Sequence, residues 1–302
     1  MSADTLTTRL RPDWVDPAGV TGGHIVQKIA RRLLPVPARW ALARLRWDAV
    51  DGVKTAAESA RMLGWPAVAQ MRWADLAGEF SRARRMRSLR LPGYPHPLFY
   101  REGSSDPHVM EQVFGRREYE CVANETDVRF IVDCGANVGY TTAMLLHRYP
   151  LARVAVVEPD SGNLLVCRKN LAPFGDRVSY FQAGIWGSTG PMAMDRTGSE
   201  WAFKARPAQE GDIVEFDALT IDDILEQSGF PRIDVLKVDI EGAEESAFEQ
   251  VDQKWLSKTR TLVIELHGDA CERVVTTSLQ SKTYERSTSG ELTVFRNIID
   301  KK

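Results

Sequence analysis

Apolar and polar positions change their period along this 302-residue chain. Ile25, Ile29 and Leu33 recur every fourth residue, a helical spacing closed by Pro35 and Pro37. Similar patterns predict helices over Ala38–Val50, Val53–Leu63 and Ala67–Leu89, with Gly64-Trp65-Pro66 parting the last two. Residues 1–23 lack such periodicity and read as a flexible lead-in. Leu91-Pro-Gly-Tyr-Pro-His-Pro97 forms a stiff linker, after which a short strand is expected at Leu98–Arg101 and a helix at His108–Glu120. From Val128 the pattern becomes short apolar runs alternating with helical stretches, as in a parallel sheet. Strands are expected at 129–133, 153–158, 178–182, 233–239 and 261–266. Thr220 is placed to cap a helix, and Lys282–Ser287 with Leu292–Ile298 reads as a closing hairpin. Residues 190–216 are irregular and read as an insertion or hairpin near the site.

Composition narrows the class. Hydrophobic content of 43% against 26% charged residues describes a folded domain rather than a disordered chain. No run approaches the ~20 apolar residues of a membrane span, and the N-terminus lacks a secretory apolar core. The four cysteines form no Cys-x-x-Cys pair, so a reducing cytoplasm is expected, with neither zinc nor a disulfide framework. The net charge of −2 conceals an asymmetry: residues 24–90 hold 14 Lys/Arg against 5 Asp/Glu, and five of the eight tryptophans lie before residue 91. A basic helical segment with its linker, 24–97, is therefore expected ahead of a domain over 98–302. That segment reads as a packing or homo-oligomerisation element, or as a peripheral surface for an anionic partner. Nucleic acid is not expected, because no nucleic-acid module follows.

The chemistry is concentrated in Arg129-Phe-Ile-Val-Asp-Cys-Gly-Ala-Asn-Val-Gly-Tyr140. A buried-strand run ends in an acid, a tight turn follows, and a helix starts: the strand–turn–helix unit that binds nucleotide-like cofactors. The dinucleotide fingerprint needs glycines at relative positions one, three and six. Those positions hold Gly135, Asn137 and Tyr140, so an NAD-dependent oxidoreductase is disfavoured. Asp133 would repel a diphosphate, yet could engage an ammonium directly or through water. S-adenosylmethionine carries an ammonium and a sulfonium, and no phosphate. Glu158 ends the second strand 19 residues after Gly139, close to the ~20 at which an acid reaches ribose hydroxyls.

Val235-Leu-Lys-Val-Asp-Ile-Glu-Gly-Ala-Glu244 resembles the signature of the FkbM family of S-adenosylmethionine-dependent methyltransferases. Asp133, Gly135, Asn137 and Gly139 match its opening loop, Glu158-Pro159 its second strand, and Ile264-Glu-Leu-His267 its fifth. Arg101-Glu-Gly-Ser-Ser-Asp106 and Arg117-Glu-Tyr119 look like an element preceding the domain in many members, and the likeness runs from about 98 to 298. It implies a Rossmann-like α/β fold whose seven-stranded sheet has five parallel strands and an antiparallel C-terminal hairpin. Members methylate hydroxyls of sugars, glycans or natural products. The resemblance carries cofactor contacts to Asp133, Gly135, Asn137 and Gly139, then to Glu158 and Pro159; Tyr140 and Thr141 after the loop and Asp239 at the end of the fourth strand are expected to join them. Gln182 and Ala183 fall in a stretch that departs from the commoner pattern and bears on the adenine pocket.

Methyl transfer to an alcohol needs alignment and a proton acceptor. Asp239 or His267 is expected as the general base, with Lys237 and Glu265 orienting the acceptor. Lys237 could instead be a buried ion-pair partner, and Glu241 and Glu244 could serve the dipole of the following helix. No metal is predicted. An N-methyltransferase is the nearest rival, although the Asn/Asp-Pro-Pro-aromatic stretch of many amine methylases is absent; a non-catalytic scaffold is a further alternative.

Overall fold

The structure is a computed structural model whose described residues are 59–80, 85–195, 204–249 and 253–301. The expected lead-in at 1–23 and the helices expected over 24–58 lie outside them. Helix α1 (Trp65–Phe80) is followed by a hairpin, β1 (Met86–Leu89) and β2 (Leu98–Arg101), then by α2 (Asp106–Met110). A π-helical turn at Glu111–Gly115 and a 3-10 turn at Glu118–Val122 lead to β3 (Phe130–Cys134), α3 (Tyr140–Arg148), β4 (Arg153–Val157), α4 (Ser161–Leu171) and β5 (Val178–Phe181). Next come β6 (Ala183–Ile185), β7 (Gly190–Asp195), β8 (Lys204–Pro207), β9 (Phe216–Leu219), α5 (Ile221–Ser228) and β10 (Ile233–Val238). The chain continues through α6 (Glu244–Phe248), α7 (Lys254–Ser257), β11 (Thr259–Glu265) and α8 (Asp269–Ser278) to β12 (Lys282–Ser289) and β13 (Leu292–Asp300).

Seven strands form one sheet in the order β12-β13-β11-β10-β3-β4-β5. The five from β11 to β5 run parallel, and the β12–β13 hairpin joins antiparallel at β11, as the sequence predicts. β3 and β10 are buried at every position because apolar clusters cover both faces. Ile131, Val156 and Val235 enter one cluster, while Phe130, Val132, Leu236 and Val238 enter the other, the period-2 alternation of a strand. From β3 the chain winds outward through β4 to β5 and then returns to β10 on the other side of β3. Strand order reverses there, which opens a crevice at the carboxyl ends of β3 and β10. Thr220 caps α5 in a reciprocal capping box with Asp223, as expected.

Two local expectations change, and a third is met. The helix predicted to Leu89 stops at Phe80, and Met86–Leu89 pairs instead with Leu98–Arg101. Arg87 faces Glu102 at 2.7 Å while Leu89 is buried, a half-covered strand rather than a helical stripe. The helix predicted over His108–Glu120 is broken, with Arg117 left-handed at φ 56°, and the break turns Tyr119 and Val122 into the core. Residues 190–216 contribute a hairpin: β7 and β8 pair antiparallel within a second sheet of order β6-β9-β7-β8, and 196–203 lie outside the described residues. Ala60, Leu63, Val68 and Met71 share one apolar cluster with Tyr94, Tyr100 and Tyr140. Among the described residues no helix is long and apolar enough to cross a membrane.

Candidate active site

The loop after β3 turns by placing Gly135, Asn137 and Gly139 at φ 79°, 50° and 83°. Asparagine tolerates this left-handed region better than most residues. A Cβ on Gly135 would lie 1.8 Å from the carbonyl oxygen of Asp239, so the loop and the turn after β10 lie against each other. The Asp239 amide donates to Cys134 O at 3.1 Å and holds them together. Gly139 has a different reason: its Cβ would lie 2.7 Å from Cys167 Sγ, so this glycine lets α3 start against α4.

Glu158 sits at the tip of β4, 5% exposed. Its Oε2 accepts from the Asn137 amide at 2.8 Å, and its Oε1 accepts from the Asp160 amide and Asn163 Nδ2. Burial raises its carboxyl pKa to about 7, against the pull of these donors. Asn163 in turn accepts from Arg101, which is paired with the buried Asp106 at 2.7 Å. The element before the sheet thus steadies Glu158, a connection with no signal in local spacing.

Packing sets the surroundings of two of the expected charged residues. Asp133 is fully buried and does not line the cleft: Thr142 donates to its Oδ2, and Lys237 Nζ faces its Oδ1 at 3.1 Å. In this position it makes no direct contact with the cleft. Lys237 is buried, and its ammonium sits among protein groups at the edge of the cleft. Its ammonium donates to Gly135 O at 2.6 Å and faces Asp133 and Asp239 Oδ2, the latter at 3.5 Å. Although burial disfavours its charge, Asp133, Tyr119 and Asp239 hold its pKa well above the ordinary lysine value. The alternative reading of Lys237, a buried ion-pair partner, fits this geometry.

A third group gathers beyond the ends of β10 and β11. Asp239, Glu265 and His267 each present an atom within 4.8 Å of the other two. His267 Nδ1 lies 3.0 Å from Oε1 of the fully buried Glu244, and its Nε2 lies 3.5 Å from Glu265 and 3.6 Å from Glu241. The hydrogen bond to Glu244 raises the imidazole pKa to about 9, against burial and with help from Glu241 and Glu265. Burial, then Asp239, raises Glu265 to about 7. A cation could bridge such spacing in competition with the proton of His267. Tyr119 closes one side, its hydroxyl 3.5 Å from Asp239 Oδ2.

These features border one cleft of about 850 Å³. Gly135, Asn137, Tyr140, Thr141, Glu158, Pro159 and Ala183 line its β3–β4 side, and Lys237, Asp239, Glu265 and His267 line the other. Of the expected cofactor contacts Asp133, Gly139 and Gln182 do not line it; Gln182 is turned to solvent. Tyr140 lines it with a hydroxyl already bonded to Phe99 O. Sequence reasoning missed Tyr119, Glu118, Glu291 and Asn163 as lining residues, and Glu244 as the partner of His267.

Comparison with known proteins fits this arrangement. Residues 133–289 match the family described as methyltransferase FkbM domain, a span running from the acid of β3 to the end of β12. Methyltransferase sdnD of Sordaria araneosa is 27% identical over 191 residues, covering 52% of this chain and 73% of that one. Methyltransferase 1 of Beauveria bassiana (strain ARSEF 2860) is 25% identical over 180 residues, covering 52% and 72%. The 2-O-methyltransferase NoeI of Sinorhizobium fredii (strain NBRC 101917 / NGR234) is 28% identical over 152 residues, covering 45% and 62%. With the matched span forming the switch point, the cleft and its charged end, the chain belongs to the FkbM methyltransferase family and is an S-adenosylmethionine-dependent methyltransferase.

Proposed function

We propose that the protein methylates a hydroxyl group of a sugar, glycan or natural product. The observation that carries this reading is the imidazole–carboxylate cluster of His267, Asp239 and Glu265 on the same cleft as the β3 loop. In this reading the cofactor lies over the tips of β3 and β4. The β3 loop fits it: the side of Gly135 is closed by the Asp239 carbonyl, and the cleft there is lined by backbone and short side chains. Glu158 Oε2 has one protein donor in the structure, and an ionised carboxylate oxygen has room for a second, which suits a ribose hydroxyl. Pro159, Thr141 and Ala183 supply apolar wall, and Lys237 holds the loop through the Gly135 carbonyl.

The bound donor supplies a methyl carbon already activated by its sulfonium. What remains for the chain is alignment, worth up to roughly 7–11 kcal/mol, and removal of the alcohol proton. His267 is the proposed base, taking that proton at Nε2, with Asp239 and Glu265 accepting hydrogen bonds from neighbouring hydroxyls. NoeI, named as a 2-O-methyltransferase, supports the choice of oxygen. Incubation of cell extracts with isotope-labelled S-adenosylmethionine tests the reading. A labelled O-methyl product is expected; label that stays on the donor with every extract would remove it.

Amine acceptors form a second reading with one observation in favour. Glu118, Asp239, Glu241, Glu265 and Glu291 all line the cleft and would attract a cation. The chemical shift of the transferred methyl separates the two products.

Glu158 gives a pH-dependent binding test. Ribose hydroxyls donate more strongly to the ionised carboxylate than to the neutral acid, so affinity is full above the free-protein value of about 7 and falls as pH drops through it. S-adenosylhomocysteine should bind about tenfold more weakly per pH unit below 7 in the wild type. Glu158→Gln should show a flat profile and an affinity about 10–100-fold lower at pH 8, since hydrogen bonds to a charged group contribute roughly 1.5–3 kcal/mol. Calorimetry at pH 5.5 to 8.5 reads both, and equal affinity in the two proteins would cancel the ribose assignment.

A further inference from the structure

We infer that Glu244 is a positioning residue: it fixes the ring of His267 with Nδ1–H inward and Nε2 toward the acceptor. The two form a dyad built across the ends of β10 and β11. This rests on the proposed use of His267 as base and adds the group that makes such use effective.

The geometry carries it. Glu244 is fully buried, and its carboxylate is held on both oxygens: Oε1 accepts from the Ile240 amide at 3.0 Å, Oε2 from the Gly242 amide at 2.9 Å. Oε1 also meets His267 Nδ1 at 3.0 Å. A carboxylate fixed by two backbone amides cannot swing away, and being acceptor-only when ionised it admits only a protonated Nδ1. In neutral imidazole the lone pair then sits on Nε2, facing the cleft rather than the core. The turn exists in this form because Glu241 adopts φ 53° and Gly242 φ 94°, folding Ile240–Gly242 around the Glu244 carboxylate. Glu244 thus does more than serve a helix dipole; α6 is five residues long.

Groups from every neighbouring element face this imidazole. Glu244 lies on α6, Glu241 and Asp239 on the turn after β10, and Glu265 on β11; Glu291, on the β12–β13 turn, acts through Glu265. Cys271 of α8 lies beneath as a thiol, its pKa pushed up to about 11 by burial and then by Glu244. Lys237 of β10 is the cation nearby and faces Asp239; Glu244, Glu241 and Glu265 favour imidazolium together, yet among them Glu244 alone approaches Nδ1 closely. Removing it should change both the charge and the tautomer of the ring. Removing Glu241 should leave the tautomer intact.

Long-range proton–nitrogen correlation spectra of the full chain, followed from pH 6 to 10, read His267 directly, with His267→Gln to assign its signals. In the wild type the ring should titrate near 9 and carry its neutral-form proton on Nδ1. Glu244→Gln should lower that value by at least one unit toward the ordinary ~6.5 and release the tautomer. Glu244→Asp, which keeps the charge one methylene further back, should retain much of the shift; it also serves if the glutamine variant does not fold. In the methyl-transfer assay Glu244→Gln should lower the plateau rate about a hundredfold and move the pH limb in the acid direction. Wild-type titration near 6.5, or identical spectra in wild type and Glu244→Gln, would overturn the dyad. An intact titration coupled with no methyl transfer to any hydroxyl would remove the proposed function and leave the dyad standing.

Discussion

Lys237→Met should destabilise the fold by about 3–5 kcal/mol, the loss expected when one partner of a buried ion pair is removed. The reason is what it leaves behind. Asp133 is fully buried with Thr142 as its other partner, and its charge would then have no cation beside it. The Gly135 carbonyl would lose its donor and the Asp239 carboxylate its neighbour, so S-adenosylhomocysteine affinity should fall as well. Urea titration reads the stability. The double variant Asp133→Asn/Lys237→Met removes both charges and should recover more than half of the loss, because replacing both partners avoids an orphaned charge. A single-variant loss below 1 kcal/mol would show that the pair does not hold the loop.

His267→Ala should lower the methyl-transfer rate by about 10²–10⁴, the usual contribution of a positioned general base. The pH profile identifies the base more sharply than the size of the loss. A base acts deprotonated, so wild-type rates should rise close to tenfold per unit from pH 7 and level above about 9. A limb near 7 would transfer the role to Glu265. Stability should run the other way over the same window. The folded-state value of His267 lies above its unfolded ~6.5, so its contribution is whole below about 6.5 and is lost as pH rises through 9. The wild type should gain rate as it loses thermal stability, whereas His267→Ala should show neither trend. A rate limb that survives in His267→Ala would exclude the histidine.

Phe130–Val132, Val154–Val157 and Val235–Val238 are strands that the chain announces by itself. Each is a short run, apolar except for Lys237 in the last, and strands covered on both faces need such runs. The β3 turn was equally legible, because left-handed backbone at Gly135, Asn137 and Gly139 demands those residue types. Glu158 was readable from its distance along the chain, since a βαβ unit has a nearly fixed length. The fold class and the turn at the tip of β3 therefore lay in local pattern.

What local pattern misreads is partnership. Asp133 looks like a ligand group at a strand tip, but Lys237 stands at the paired position of β10, one strand away and 104 residues later. Register decides that contact, and register is set by how the whole sheet assembles. The same holds for His267 and Glu244, brought together by the parallel pairing of β10 with β11. Between Met86 and Leu89 the helical period was overruled because a neighbouring strand offered its backbone and covered Leu89. Period and burial are written residue by residue, whereas the partner that neutralises a buried charge comes from a distant part of the chain. The sequence determined where the charges of this site stand; only the tertiary structure decided which of them face each other and which remain open to a substrate.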